Sequence, residues 1–246
     1  MSVEIREPGS GIREPEKTPA KIAGMFDAIA GRYDLLNSVL SWGLDRRWRR
    51  LAIASLQLTG RERLLDVCAG TADVAIRGAR SGAAHVVGVD FSGAMLVHGL
   101  EKVKHADLAR RVQLVQGDAT TLPVADATVD AVTIAFGIRN VQRPEVACRE
   151  LFRVLRSGGR LAILEFGVPQ WAPFRLIYHW YFHQIVPRIG SAVSQHGEAY
   201  TYLPESVDAF KFGDEFARIL NVAGFSQVTA RPLMFGAVYL YTGQKI

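Results

Sequence analysis

The sequence predicts a doubly wound α/β fold, an open and mostly parallel sheet with helices on both faces. Three observations predict it. From residue 62 short apolar runs alternate with helical stretches, as strands joined by crossover helices do. The 246 residues are 49% apolar and 22% charged, the balance of a globular chain able to bury a sizeable core without disulfides. A loop of small residues follows the first strand and Asp90 ends the second, which is where open α/β sheets hold ligands.

Residues 1–19 are rich in Glu, Arg, Gly and Pro and are expected to be a disordered tail. The echo of Ile5-Arg6-Glu7-Pro8 at Ile12-Arg13-Glu14-Pro15 is too short for a repeat unit. Residues 20–246 are expected to form one domain. Its first part, 20–58, is a helical cap. Ile22, Met25, Phe26 and Ile29 share one helical face, Asp34 to Val39 make a second helix that Gly43 ends, and a third runs from Asp45 to Leu56.

The core spans 62–166. Arg63–Val67 is a strand and 73–80 a helix. Ala84–Asp90 is the second strand, Ser92–His105 a helix, Val112–Gln116 the third strand and Ala131–Phe136 the fourth. Pro144 suits the first position of a helix over 144–155, and Ser157-Gly158-Gly159 turns into a strand over Arg160–Phe166. Residues 167–204 break the rhythm with aromatic residues and Pro169, Pro173, Pro187 and Pro204, and are expected to be a lid over the site. The C-terminal part, 205–246, reads as a helix over 205–223 and strands near 225–231 and 235–244.

Composition narrows the function classes. Cys68 and Cys148 are the only cysteines and show no metal or disulfide spacing, so a reducing cytoplasm is expected. No apolar signal core stands behind a basic start, and the apolar stretches are broken before they could span a bilayer. The net charge of +5 allows nucleic acid, an anionic membrane or an acidic substrate and selects none.

The chemistry gathers at strand ends. In Asp66-Val67-Cys68-Ala69-Gly70-Thr71-Ala72-Asp73 the small residues let a ligand approach the backbone, and Asp90 can accept hydrogen bonds from both hydroxyls of a ribose. A nicotinamide dinucleotide wants G-x-G-x-x-G to hold its pyrophosphate, and this loop has only Gly70. S-adenosylmethionine carries no phosphate, and Asp66, Asp73 and the Thr71 hydroxyl suit its amino-acid end. Asp118 in Gln116-Gly117-Asp118-Ala119 can take the exocyclic amine of an adenine beside a backbone amide that bonds a ring nitrogen. Alone that segment is a common turn, and its place one strand after Asp90 is what raises it. Phe136-Gly137-Ile138-Arg139-Asn140 leaves the fourth strand with an Arg–Asn pair that is costly to bury without partners. The bland reading is a helix cap with a solvated arginine; the sharper one turns the pair toward an acceptor.

At this point the chain resembles the UbiE/COQ5 methyltransferases, which C-methylate demethylmenaquinol and the corresponding benzoquinol of the ubiquinone pathway. The likeness covers about residues 20–246. It is carried by Met25-Phe26-Asp27, Arg32 to Asn37, Asp45 to Arg49, Asp66 to Asp73, Gln116 to Ala119, Thr133 to Asn140, Leu164-Glu165-Phe166, Pro187-Arg188-Ile189-Gly190 and Tyr200 to Ser206. Ala72 departs from a usual Gly, Ala135 stands where a bacterial relative often has Ser, and Val207 to Lys211 drift. The resemblance implies a class I S-adenosylmethionine methyltransferase sheet of seven strands. It implies a cofactor site of Asp66, Gly70, Thr71, Asp73, Asp90, Asp118, Ala119 and Ala135, and a reaction at Arg139, Asn140, Tyr33 and Asp118. A quinol carbon becomes nucleophilic once the neighbouring hydroxyl loses its proton. Arg139 would supply the positive field, Asn140 orient the hydroxyl, and Tyr33 bond the ring oxygen or close over the sulfonium. The base is Asp118 through a water, or bulk water.

Other features weigh less. His179 and His183 have i, i+4 spacing, but Trp180 stands where a metalloprotease motif has Glu, so no metal is expected. Arg46, Arg47, Arg49 and Arg50 flank Trp48 without a nucleic-acid motif; lipid head groups or water suit them better, and no nucleic acid is expected. Cys68 is a small loop filler with no base beside it. The aromatic run from Trp171 to Phe182 is lid core, or a greasy mouth for a prenyl tail at a membrane surface. The expected partners are thus a prenylated quinol and the inner membrane face, with the oligomeric state left open, a homodimer included. Another small phenol as C- or O-acceptor, or a non-catalytic scaffold of a quinone-making assembly, are the competing readings.

Overall fold

The computed structural model describes residues 18–186, 188 and 198–246. The expected tail therefore lies almost wholly outside the described residues, and Pro19 already opens the first helix. Three helices come first: α1 (Pro19–Ile29), α2 (Tyr33–Leu40) and α3 (Leu44–Ser55), with Gly43 at φ +72° making the left-handed corner between the last two.

Strand and helix then alternate: β1 (Arg63–Val67), α4 (Asp73–Arg80), β2 (His85–Asp90), α5 (Gly93–His105), β3 (Val112–Gln116), β4 (Val129–Ala135), α6 (Pro144–Val154) and β5 (Leu155–Phe166). Beyond them lie α7 (Ala172–Trp180), which runs on as a wider π-turn over Tyr181–Ile185, α8 (Glu198–Asp208), α9 (Asp214–Val222), β6 (Ser226–Leu233) and β7 (Val238–Gln244). The seven strands form one sheet in the order β3-β2-β1-β4-β5-β7-β6. β1 pairs in parallel with β2 and β4, β2 with β3, and β5 with β4, whereas β7 pairs antiparallel with both β5 and β6.

Alternation along each strand divides the core into two layers. Leu64, Ala131 and Ala162 face one side with Trp48, Ala52 and Ile53 of α3 and the buried face of α4. Leu65, Val132 and Ile163 face the other with Leu151 of α6 and Phe216 and Leu220 of α9. α3 thus belongs to the helical cover of the sheet, while α1 and α2 stand above its rim and bury Ile29 and Leu36 in a separate small cluster.

Three expectations need correction. β5 begins at Leu155 and not at Arg160, taking in Ser157 to Gly159 where its register against β4 shifts between Val129 and Ala131. The single helix expected over 205–223 is two, because Gly213 takes φ +62° and ψ −132° and donates its N–H to the Tyr241 hydroxyl at 2.7 Å. The last strand starts at Val238 and not near 235, since Met234 to Gly236 form a tight turn with Phe235 in the left-handed region. Of the expected lid, residues 187 and 189–197 lie outside the described residues. No helix among the described residues is long and apolar enough to cross a membrane.

Candidate active site

The strand order reverses between β1 and β4, so the loops leaving their carboxyl ends splay apart and open a crevice. Both loops begin with a left-handed residue, Cys68 at φ +56° and Phe136 at φ +60°. They touch at Gly137, where an added Cβ would collide with Cys68 Cβ. A glycine is therefore required at that point of the fourth-strand loop. Ala72 sits at φ +65°, the conformation that a glycine supplies without strain.

Two cavities adjoin here. The smaller, of about 200 Å³, is lined by Gly70, Asp90, Ser92, Asp118, Ala119, Ala135 and Asn140, with Ile22 and Ala23 of α1 above. Asp90 accepts from the Gly70 N–H and the Ser92 N–H, both at 2.8 Å, so its carboxylate also shapes the loop that it faces. Burial raises the Asp90 pKa against the pull of those two amides. Asp118 Oδ1 takes the N–H and hydroxyl of Thr120 at 2.7 and 2.8 Å. The side-chain oxygen of Asn140 is buried with no partner among the described residues. Two carboxylates and an orphaned acceptor suit S-adenosylmethionine, whose ammonium, ribose hydroxyls and adenine amine are all donors.

The larger cavity, of about 390 Å³, is apolar, walled by α1, α2, α7 and the rim of the sheet. Two arginines line it, each in a buried ion pair: Arg49 with Asp45, and Arg139, which is 6% exposed, with the fully buried Glu165. Glu165 accepts from Arg139 Nη1 at 2.8 Å, from the Arg139 N–H at 3.1 Å and from the Phe166 N–H at 2.9 Å. Arg139 Nη1 also donates to the Phe136 carbonyl at 2.6 Å and Nε to Ser206 Oγ at 3.3 Å. Its other terminal nitrogen, Nη2, has no hydrogen-bond partner among the described residues. Burial, the largest single influence, pushes the guanidinium pKa down, but the charge and hydrogen bond of Glu165 together with the Tyr33 and Tyr202 phenols outweigh it and the net shift is upward.

Phe26, Tyr33 and Phe136 line both cavities and form the passage between them. Burial raises the Tyr33 pKa, while the phenol feels Arg49 and Arg139 on one side and Asp90 on the other.

The sequence-predicted residues fall into groups. Gly70, Asp90, Asp118, Ala119 and Ala135 meet in the smaller cavity, and Tyr33 stands at the junction. Arg139 and Asn140 part company: Arg139 enters the larger cavity and Asn140 the smaller, because the short helical turn over Ile138–Asn140 swings successive side chains apart. Asp118 likewise stands on the smaller cavity alone. Asp66, Thr71 and Asp73 do not line either. Thr71 donates to Asp34 at 2.6 Å, and Lys102 joins Asp34 to Asp73, which lies 3.5 Å from Arg49. That network ties α2 and α3 to α4 and α5. Asp27 of α1 similarly accepts from Ser92 at the start of α5. Asp66 is buried with one oxygen unpaired, and burial holds its pKa well above the usual carboxylate range.

Glu165, Ser206 and Tyr202 carry no expected role beyond their place in the family-like segments; an acid near the end of a strand, as Asp90 ends β2, is the available signal for Glu165. Of the basic cluster, Arg46, Arg47 and Arg50 are exposed, whereas Trp48 and Arg49 are buried and Arg49 pairs with Asp45. His179 and His183 gain a neighbour that the sequence did not suggest: Asp208 lies 3.1 Å from His183, with the three groups' nearest donor atoms within 4.8 Å of one another. Burial pushes the Cys68 thiol pKa well up, away from nucleophile chemistry at neutral pH.

The chain matches the ubiE/COQ5 methyltransferase family over residues 15–245. It is 42% identical over 227 residues to the ubiquinone/menaquinone biosynthesis C-methyltransferase UbiE of Geotalea daltonii, covering 92% of this chain and 96% of that one. It is 46% identical over 230 residues to the demethylmenaquinone methyltransferase of Streptomyces avermitilis, covering 94% and 96%. Among solved structures, a possible histamine N-methyltransferase from Thermotoga maritima aligns with TM-score 0.59 at 18% identity, over 92% of this chain and 100% of that one. The [4+2]-cyclase SpnF aligns with TM-score 0.61 at 18% identity, over 93% and 97%. Neighbours with different chemistries share the fold, so the structural likeness speaks for architecture alone.

Proposed function

The chain belongs to the ubiE/COQ5 methyltransferase family, and on that premise we propose that it transfers the methyl group of S-adenosylmethionine to a ring carbon of a demethylated prenylquinol. The observation that carries this reading is the junction: a cavity lined by hydrogen-bond acceptors opens through Phe26, Tyr33 and Phe136 onto a largely apolar cavity whose fixed charges are held in two buried ion pairs, Arg139–Glu165 and Arg49–Asp45. A donor-rich cofactor and a greasy acceptor with a polar ring need that division.

S-adenosylmethionine supplies an already activated methyl. The protein's own task is to align a carbon nucleophile and favour loss of the hydroxyl proton beside it. Asp90, Asp118, Gly70 and Asn140 hold the cofactor. Asn140 thereby serves the cofactor and not the acceptor hydroxyl, and Asp118 acts by contact. Arg139 serves the acceptor: Glu165, Ser206 and the Phe136 carbonyl fix its fork, and the unspent Nη2 remains for a phenolate oxygen. The surrounding apolar wall keeps water scarce, where such a donor counts most.

The prenyl tail leaves by the mouth. Trp42, Ile177 and Trp180 line the cavity and are exposed, Trp42 by 82%. Exposed Arg46, Arg47 and Arg50 lie on the adjoining α3. This pairing of indoles and cations supports peripheral docking on an anionic bilayer. Each buried CH2 of the tail contributes about 0.8 kcal/mol.

The testing experiment compares kcat/KM for reduced demethylated quinols with tails of increasing length, with and without anionic liposomes. Efficiency should rise with the first prenyl units and with liposomes. Equal efficiency on tail-less phenols would turn the reading toward a small-phenol methyltransferase.

A further inference from the structure

Two tyrosine hydroxyls in the larger cavity have no hydrogen-bonding task among the described residues. Tyr178 and Tyr202 both line the cavity, and each buries its hydroxyl oxygen without a hydrogen-bond partner among the described residues. A cavity meant only for hydrocarbon gains nothing from such groups, because a buried hydroxyl without a partner is costly and phenylalanine would fill the same space.

Both hydroxyls are held on packed supports. Tyr178 stacks on Phe182 with ring centroids 4.3 Å apart and packs in a cluster with Val207 and Ala237. Tyr202 lies on α8, one helical turn before Ser206, the residue that accepts from Arg139 Nε. Burial keeps both phenols protonated, with Tyr202 pushed up to about 12 and Tyr178 also raised. Phe182, on which Tyr178 stacks, packs edge-on against Phe166, and the Arg139 guanidinium lies 5.2 Å over that same ring; Tyr202 shares α8 with Ser206, so both tyrosines stand toward the ion pair. That end of the cavity then holds three unspent groups: two phenol hydroxyls and Arg139 Nη2.

We propose that Tyr178 and Tyr202 are the recognition groups for the acceptor's oxygen-bearing ring, bonding its hydroxyl oxygens and so selecting a dihydroxylated arene among apolar ligands. The inference rests on the proposed function and adds to it the residues that read the ring. A hydrocarbon or a ring without oxygens would leave the two hydroxyls and the guanidinium unpaired, and a site built on such bonds rejects ligands that cannot make them.

The test uses Tyr178→Phe, Tyr202→Phe and the double variant of the full chain. Four quantities are read: kcat/KM for the reduced demethylated prenylquinol, kcat/KM for an analogue lacking one ring hydroxyl, affinity for S-adenosylmethionine, and the thermal midpoint. Each single variant should lose about tenfold in kcat/KM on the quinol and the double about a hundredfold. S-adenosylmethionine affinity should not change, because neither tyrosine lines the smaller cavity. The midpoint should hold or rise, since each substitution removes an orphaned polar group. For at least one variant the loss should shrink on the analogue that lacks the bonded hydroxyl.

Wild-type efficiency in the double variant, equal losses on both acceptors, or a lowered midpoint would each overturn the inference, the last by showing that the hydroxyls serve the fold. Should the wild type itself leave the quinol unmethylated, the proposed function fails. The inference is then read from quinol binding alone, followed by quenching of Trp42, Trp48 and Trp180, which line the same cavity. Unchanged quinol affinity in the double variant would then reject it too.

Discussion

Replacing Glu165 with Gln separates the ion pair's structural duty from its chemical one. The carboxylate is fully buried and accepts three hydrogen bonds, two of them from Arg139. Gln keeps one acceptor oxygen and turns the other into a donor that faces donors. The guanidinium would remain buried with the Phe136 carbonyl and Ser206 as its partners. Removing one member of a buried pair costs about 3–5 kcal/mol, and the retained oxygen places this change near the lower figure. At roughly 2–4 °C per kcal/mol for a chain of this size, the thermal midpoint should drop by about 6–12 °C. S-adenosylmethionine affinity should stay within about threefold of wild type, about 0.7 kcal/mol, because neither Glu165 nor Arg139 lines the smaller cavity. Turnover should fall by far more than tenfold, since Arg139 loses its bearing. The double change Arg139→Met with Glu165→Leu should recover most of the stability and none of the turnover, as buried pairs often yield to apolar residues without loss. Urea denaturation, calorimetry and turnover on the same three proteins decide it. A Glu165→Gln variant within about 0.5 kcal/mol of wild type, or cofactor affinity falling in step with turnover, would refute the reasoning.

Three further outcomes follow from the geometry. Asp90→Asn should weaken S-adenosylmethionine binding by about 1–3 kcal/mol; because burial raises the Asp90 pKa, wild-type affinity should fade on acidification sooner than an ordinary carboxylate allows, and titration calorimetry across pH should find the variant flat. Gly137→Ala should cost about 3 kcal/mol, since its methyl collides with Cys68 Cβ, and adding Cys68→Gly should return most of it in urea denaturation; no loss in the single variant speaks against the loop contact. Asp66 has a folded pKa raised chiefly by burial, with the Asp90 and Asp73 charges adding to it; the stability it lends is full below its unfolded pKa of about 3.9 and is lost as pH rises through the folded value. Asp66→Asn should therefore match wild type near pH 4 and exceed it increasingly toward pH 8, and an advantage that shrinks with pH would contradict this.

The elements that the sequence revealed are those whose pattern is local. Arg63–Val67 and Asp73–Arg80 fall where periodicity and small-residue loops put them, because a buried parallel strand must be apolar and its crossover helix amphipathic; Val112–Gln116, a sheet edge with only Val112 buried, shows instead the apolar–polar mixture of a half-covered strand. The helix over 205–223 was misread because Gly213 breaks it through a hydrogen bond to Tyr241, 28 residues away. Pro204, the last residue of the expected lid, lies inside α8, which runs across that boundary from Glu198 to Asp208. The site shows the same division. Asp90 and Asp118 reach one cavity because strand ends open into the crevice, and Ala72, where glycine is usual, takes the left-handed φ that explains that preference. The Asp34–Lys102–Asp73 network and the Arg139–Glu165 pair span 68, 29 and 26 residues and are made by the fold alone. The sequence reading therefore puts Thr71 and Asp73 at the cofactor's amino-acid end, and sees that Arg139 needs a partner if buried without being able to name Glu165 as that partner.

The central claim is methyl transfer to a ring carbon, and one measurement addresses it directly. The enzyme is mixed with S-adenosylmethionine bearing a deuterated methyl and with reduced demethylated prenylquinol in a single turnover, and the product is followed by mass and by proton resonance. The account predicts one deuterated methyl on the ring, loss of one aromatic proton signal, and both hydroxyls still free. A deuterated methyl ether, or no label on the quinol while the cofactor is bound, would contradict it.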